Sequence, residues 1–216
     1  MNKDRRLRCI ILGGGGHARV LVDMLMLLDT FSLVGILDAN RQRWGDELMG
    51  VPVLGGDEQI ESIADQVDVF VVGLGGAGDN RPRQKLYTLG REHGLEPVTL
   101  IHPRAIVSRW ANLGAGCQVL PAAVINANAS LGQNVIINSG AIVEHDCVIG
   151  DHVHIATGAK LCSAVNVDQA AHIGAGATVR QLIRIGAESL VGAGAVVVTD
   201  VPPQARVFGV PARPAG

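Results

Sequence analysis

The sequence predicts two successive architectures, a small Rossmann-like α/β domain over residues 1–97 and an all-β parallel β-helix over residues 98–216. Three observations predict them. From Ala105 to Asp200 the chain repeats with a period of six. Before that, short apolar runs alternate with helical segments, and a run of glycines joins the first run to the first helix. The composition also fits, with 28 Gly, only 3% aromatic residues and an apolar fraction made mostly of Ala, Val, Ile and Leu. A narrow interior built from repeated coils has room for such residues and none for rings.

In the first half, Arg8 to Leu12 reads as a strand, Gly13 to Gly16 as a turn and His17 to Leu28 as a helix. Leu33 to Leu37 is a second apolar run ending at Asp38, and Val67 to Gly73 is a third. Arg83 to His93 has helical spacing, with Gly94 placed to cap it. Strands interleaved with helices imply a small parallel sheet covered by helices.

In the second half, the third residue of every six from Val107 to Val197 is Val, Ile or Leu, sixteen times without a gap. The first residue is small or β-branched, mostly Ala, and Gly recurs at the fourth position, as at Gly114, Gly132, Gly150, Gly174, Gly186 and Gly192. A period of six suits neither a 3.6-residue helix nor a hairpin. It suits a solenoid in which each six forms a short strand and a corner, with the large aliphatic inward, the small residue at the corner and Gly relieving the turn. Three sixes close one 18-residue coil, so the sixteen stack about five coils, ~4.8 Å apart.

A net charge of -2 gives no basis for nucleic acid or a membrane surface as partner. Cys9, Cys117, Cys147 and Cys162 form no CxxC pair, which argues against a metal. The charged start leads into a strand-like segment with no long apolar stretch, and free thiols suit a reducing cytoplasm.

The hexads, the segment Ile142-Val143-Glu144-His145-Asp146, the ending Phe208 to Arg213 and the Gly-Gly-Gly-Gly-His turn together resemble one family. It is the sugar O-/N-acetyltransferase family, which includes sialic acid O-acetyltransferases and nucleotide-4-amino-sugar N-acetyltransferases. The resemblance implies a left-handed coil and a homotrimer with active sites at subunit interfaces. It also implies acetyl-CoA as co-substrate, and a UDP- or GDP-linked amino sugar as acceptor for surface glycans.

Acetyl transfer to an amine needs a base near neutral pH, and His, with an ordinary pKa of roughly 6.5, suits that role. His145 occupies the fifth position of its six, at a corner, and Asp146 follows as a carboxylate able to fix the imidazole. The resemblance assigns them as base and partner, with Glu144 the less favoured partner. It further implies that His154 lines the acceptor and acetyl site and that Ser163, where relatives often carry Gly, offers an N–H to the thioester oxygen. By the same resemblance, Ala175 and Ala193 line the pantetheine and Arg213 pairs with a CoA phosphate. His172 lies 18 residues after His154 and should stack on it. A covalent role for Cys147 or Cys162 is disfavoured, because Cys147 falls at an inward first position and Cys162 has no evident base.

Gly13, Gly15 and Ala18 satisfy G-x-G-x-x-A after a strand and before a helix, with Asp38 at the next strand end. Backbone N–H groups there suit a phosphate, and the pattern alone would read as NAD. The resemblance turns it into a sugar-nucleotide site at Gly14, Gly15, Gly16 and His17, with Asp38 at base or ribose. Gly73 and the Asp79-Asn80-Arg81 loop would complete it. Two other readings fit the same residues: O-acetylation of a sugar such as sialic acid, and a trimeric scaffold without catalysis.

Overall fold

The computed structural model describes residues 6–215; the domain ends assigned to Met1–Arg5 and to Gly216 lie outside them. The chain forms two compact units. One holds the residues up to Gly75 together with Pro82–Val98, and the other holds Gly76–Arg81 and the chain from Thr99 onward.

The first unit is built on a six-stranded sheet. Its strands are β1 (Leu7–Leu12), β2 (Phe31–Leu37), β3 (Glu47–Leu48), β4 (Val51–Gly55), β5 (Val69–Val72) and β6 (Glu96–Pro97), in the order β3-β4-β2-β1-β5-β6. All neighbours are parallel except the β3–β4 hairpin. Central β1 buries Cys9, Ile10, Ile11 and Leu12 completely, the continuous apolar run that a doubly covered parallel strand requires. Helix α1 (Gly16–Leu28) turns Ala18, Leu21, Val22 and Leu25 inward at the helical spacing, and the helix Arg81–Glu92 buries Leu86, Tyr87 and Gly90. Gly94 follows that helix with φ +76°, the left-handed conformation that glycine adopts without strain.

The hairpin has no mark in the sequence. Its two-residue turn is Met49-Gly50 with both φ positive (54° and 80°), and Met stands where Asn or Gly would have signalled the turn.

The second unit is a left-handed parallel β-helix with three faces. As far as Val197 its strands are two residues long, at the second and third positions of each six, and they pair 18 residues apart, such as Gln118↔Ile136 and Val124↔Ile142; the last strand, Arg206–Phe208, pairs with Leu190–Val191 at an offset of 16. The first face runs from Leu100–Ile101 to Arg206–Phe208, the second from Ile106–Val107 to Val196–Val197, and the third from Asn112–Leu113 to Arg184–Ile185. The coil thus starts one strand before the first predicted six and extends past the last.

Two details of the hexad differ from the sequence expectation. The first-position residues are not at corners: Cys117, Ala123, Ala129, Ala141 and Ala159 are wholly buried beside the third-position aliphatics. The corner is made by the sixth residue, which takes positive φ from Gly116 through Asn128, Asp146 and Leu182 to Gly194. The fourth-position glycines serve close approach between coils. A Cβ on Gly114 would lie 2.5 Å from the Gly132 carbonyl oxygen, and one on Gly174 2.5 Å from the Ala193 nitrogen. The expectation erred because Gly frequency marks two separate needs, space and positive φ, that composition alone does not separate.

Candidate active site

The corner between the second and third faces carries His145. Its fifth-position side chain is 55% exposed and leaves the coil, while Asp146, in the left-handed conformation a short polar residue tolerates, turns its carboxylate back. Asp146 Oδ2 lies 2.6 Å from His145 Nδ1. A carboxylate only accepts, so Nδ1 carries the proton and Nε2 keeps its lone pair. The hydrogen bond from His145 and a second from Asn128 Nδ2 (3.2 Å) hold the Asp146 carboxyl below the usual carboxylate range. Glu144 is not the imidazole's partner. Its Oε2 accepts from Asn126 Nδ2 (2.9 Å) and from the His145 backbone N–H (3.3 Å), fixing the corner's backbone.

One coil further on, Ser163 occupies the equivalent corner, and its Oγ lies 2.8 Å from His145 Nε2. The Ser163 backbone N–H donates to no described residue, so the donor expected for an oxyanion is free. Asn128 and the Ser163 hydroxyl are the members of this site that sequence reasoning missed as contacts. The signal was available, because Asn128, Asp146 and His145, Ser163 are pairs 18 residues apart.

The remaining expected residues lie elsewhere on the coil. Ala175 and Ala193 sit on the edge between the first and second faces, exposed, with N–H groups that donate to no described residue. The tail folds onto this edge: the Val196 N–H donates to Gly209 O and the Ala212 N–H to Val196 O, so Arg213 emerges there, exposed. Small side chains and open N–H groups along one edge fit an amide-rich chain such as pantetheine. That edge is separated from His145 by a full face, roughly 15–20 Å of extended chain. One chain therefore presents the two halves of the expected acetyl site on different edges.

His154 and His172 stand on the first face at second positions, paired across adjacent strands with ring centroids 4.9 Å apart. His154 is only 4% exposed. Its Nε2 meets Asn138 Nδ2 at 3.0 Å and its Nδ1 meets Gly76 O at 3.1 Å, so both nitrogens are engaged. Burial lowers the pKa of His172. Asn80 is 2% exposed and donates to the Ala170 and Ala171 carbonyls, pinning the 76–81 segment to the coil. Where the sequence suggested substrate contacts, His154 and Asn80 thus hold a loop in place.

In the first unit, Gly15 caps α1 without a side chain, leaving the helix start open to an anion. Asp38 accepts the Gly14 N–H (2.7 Å) and the Asn40 N–H (2.7 Å), and Arg43 reaches both Asp38 and the Gly14 carbonyl. A Cβ on Gly73 would lie 1.9 Å from the Gly13 carbonyl oxygen, so glycine is required there by close approach of backbone, and a Cβ on Gly14 would lie 2.5 Å from Asp38 Oδ2 and displace that carboxylate. A Cβ on Gly75 would lie 3.5 Å from that of His17, which borders the same turn. Beside the turn, a cavity of about 260 Å³ is lined by Gly13, Asp38, Asp57, Leu74, Lys85 and Leu86, among others. Its apolar walls and polar rim suit a flat base.

Two of the thiols are not poised for chemistry. Burial pushes Cys9 up to about 12 and Cys147 up to about 11, so neither supplies a thiolate near neutral pH. Among the described residues no cluster of three or more His, Cys, Asp or Glu is arranged to hold a metal, and no helix is long and apolar enough to cross a membrane.

Residues 8–89 match the family described as PglD N-terminal domain, and residues 128–163 match bacterial transferase hexapeptide repeats. A histidine-to-asparagine variant of perosamine N-acetyltransferase from Caulobacter crescentus, solved with CoA and GDP-perosamine, is 39% identical over 96% of each chain, with a TM-score of 0.90. The acetyltransferase domain of PglB from Neisseria gonorrhoeae, solved with acetyl coenzyme A, is 33% identical over 98% of this chain and 100% of that one, with a TM-score of 0.88. WeeI from Acinetobacter baumannii is 26% identical over 96% and 99%, with a TM-score of 0.85. No curated protein matches the sequence.

Proposed function

The chain belongs to the hexapeptide-repeat sugar O-/N-acetyltransferase family, and on that premise we propose that it moves an acetyl group from acetyl-CoA to the amine of a nucleotide-linked 4-amino sugar. The observation that carries the reading is the Asp146–His145 pair at 2.6 Å, with the imidazole lone pair directed away from the carboxylate. The amine attacks the thioester carbonyl carbon while His145 Nε2 takes its proton. Asp146 stabilises the imidazolium that forms, and the Ser163 N–H stabilises charge on the carbonyl oxygen. The proton then leaves with the CoA thiol.

The first unit, assigned to residues 1–97, serves as the nucleotide-sugar domain. Its Gly14-Gly15-Gly16-His17 turn holds the diphosphate, Gly73 allows the turn to close, and the cavity beside Asp38 takes the base. The coil, residues 98–216, serves as the transferase domain, with Ala175, Ala193 and Arg213 along the CoA, and with His154 and the Asn80 of the 76–81 segment forming a wall of the acceptor site. Because those edges are a face apart in one protomer, we assign a homotrimer in which the His145 edge of one copy meets the Ala175–Ala193 edge of the next. The second face supports this contact, since Ile106 is 66% exposed and Val124, Ile142 and Val196 are only half-buried. A cytoplasmic place in surface-glycan assembly agrees with the free thiols and with the cellular location of acetyl-CoA.

The test is CoA release from acetyl-CoA across UDP-, GDP- and dTDP-linked 4-amino sugars, UDP-linked 3-amino sugars and free sialic acid. Turnover with an amino-sugar nucleotide is expected. Turnover with sialic acid alone would move the reading to O-acetylation. A monomer mass by light scattering would contradict the shared site.

A further inference from the structure

Three side chains of one coil edge form a continuous chain: Ser163 Oγ to His145 Nε2 at 2.8 Å, and His145 Nδ1 to Asp146 Oδ2 at 2.6 Å. The tautomer set by Asp146 leaves Nε2 as acceptor, so the Ser163 hydroxyl is the donor. A hydroxyl donating to an imidazole that is itself oriented by a carboxylate is the arrangement that makes serine nucleophilic. The serine's own backbone N–H has no partner among the described residues, and an N–H on the nucleophile is a usual component of an oxyanion site. Nucleophile, base, orienting acid and oxyanion donor are thus all present on residues 145, 146 and 163. Glycine at position 163 would keep the N–H and remove the nucleophile.

Ser163 Oγ also occupies the place at Nε2 that an acceptor amine must take during direct attack. While the acceptor is absent, it is the nucleophile closest to the base. We propose that, with acetyl-CoA bound and no acceptor, Ser163 takes the acetyl group as an ester and releases it to water, giving this corner a second, slow thioesterase activity. The inference rests on the acetyl-CoA reading of the site given above.

In the first step Ser163 Oγ attacks the thioester carbonyl carbon and its proton passes to His145 Nε2. The C–S bond breaks, and the departing CoA sulfur takes that proton. In the second step a water attacks the ester carbonyl as His145 takes a proton from it. The bond to Oγ breaks, acetic acid leaves and gives its proton to solvent, and Oγ recovers a proton from His145. Thioester and water become thiol, acetate and one proton, with no oxidant or metal involved. Binding of the acceptor amine at Nε2 displaces the hydroxyl and restores direct transfer.

The test uses the full chain with acetyl-CoA and no acceptor, and reads CoA thiol release, acetate release and the mass of acid-quenched protein. One added acetyl group mapping to the peptide of Ser163 is expected. It should be absent in Ser163→Ala, Ser163→Gly and His145→Ala, and acceptor-free CoA release should fall at least ~100-fold in each. A short-lived ester would appear as acceptor-free acetate release without an adduct, still lost in both serine variants. Acetylation mapping to exposed Lys160, or acceptor-free release unchanged in Ser163→Ala, would overturn the proposal. So would acceptor-free release no faster than the uncatalysed rate. Acceptor-dependent turnover without any acceptor-free reaction would remove the serine step and leave the transferase standing. Acceptor-free turnover with silence from every amino sugar would do the reverse.

Discussion

Two pairs of residues on the coil, each 18 residues apart, have opposite fates. His145 and Ser163 stand at fifth positions, where the chain leaves the strand, and their side chains meet in solvent-accessible space at 2.8 Å. His154 and His172 stand at second positions, inside strands, and are 4% and 7% exposed. The first imidazole has a carboxylate on one nitrogen and a hydroxyl on the other. The second has its nitrogens tied to a backbone carbonyl and an amide, and the third has an Nδ1 with no partner. The lesson is that in this fold a histidine's position within the six decides between chemistry and packing.

Breaking the first pair should give the largest effect. His145→Ala removes the base and is expected to lower kcat by ~10²–10⁴-fold with little change in Tm, because an exposed fifth-position side chain packs against little. Asp146→Asn keeps the shape, removes the charge and puts an NH2 donor where one acceptor oxygen stood, so the tautomer is no longer fixed. A fall in kcat of about 10²-fold, with KM for acetyl-CoA nearly unchanged, is expected from steady-state kinetics.

Breaking the second pair should act on stability. His154→Ala removes the partner of Asn138 Nδ2 and of the Gly76 carbonyl and is expected to cost ~1–3 kcal/mol in denaturant unfolding. His172 gives a pH signature. Burial lowers its folded pKa below the unfolded value of roughly 6.5, so the unfolded chain binds the proton first as pH falls. Stability is therefore full above about 6.5 and declines below it, with the ring of His154 as the neighbour facing the group. The Tm measured from pH 7.5 to 5 should fall, and His172→Gln should flatten that slope. The smallest effect belongs to a bare corner. Leu182 is 77% exposed at φ 64°, and Leu182→Asn should raise stability by under ~1 kcal/mol, read by the same unfolding curve.

The same contrast explains what could be read from the sequence. The coil, its faces and the 18-residue stacking were legible because one physical requirement, an aliphatic pointing inward, recurs at Val107, Leu113 and on to Val197. The Asp146–His145 pair was legible because its members are adjacent. The Asn128–Asp146 bond was hidden by attention to neighbours in sequence, although one coil of offset would have found it. The purpose of Gly114 and Gly174 was hidden because the atoms they avoid belong to another coil. The β3–β4 hairpin was hidden because Met49 adopts a conformation its side chain does not advertise. Asp38 was legible as a strand-end acid. Its bonds to Gly14 and Asn40, which brace the turn, follow only from how the chain doubles back.

The most direct test sets His145→Ala beside His154→Ala, measuring acetyl transfer to a nucleotide-linked 4-amino sugar at saturating acetyl-CoA and Tm on the same samples. The account predicts that His145→Ala loses transfer at nearly the wild-type Tm, and that His154→Ala loses Tm with the smaller change in kcat. Transfer surviving in His145→Ala while His154→Ala abolishes it would move the base to the buried face and contradict the account.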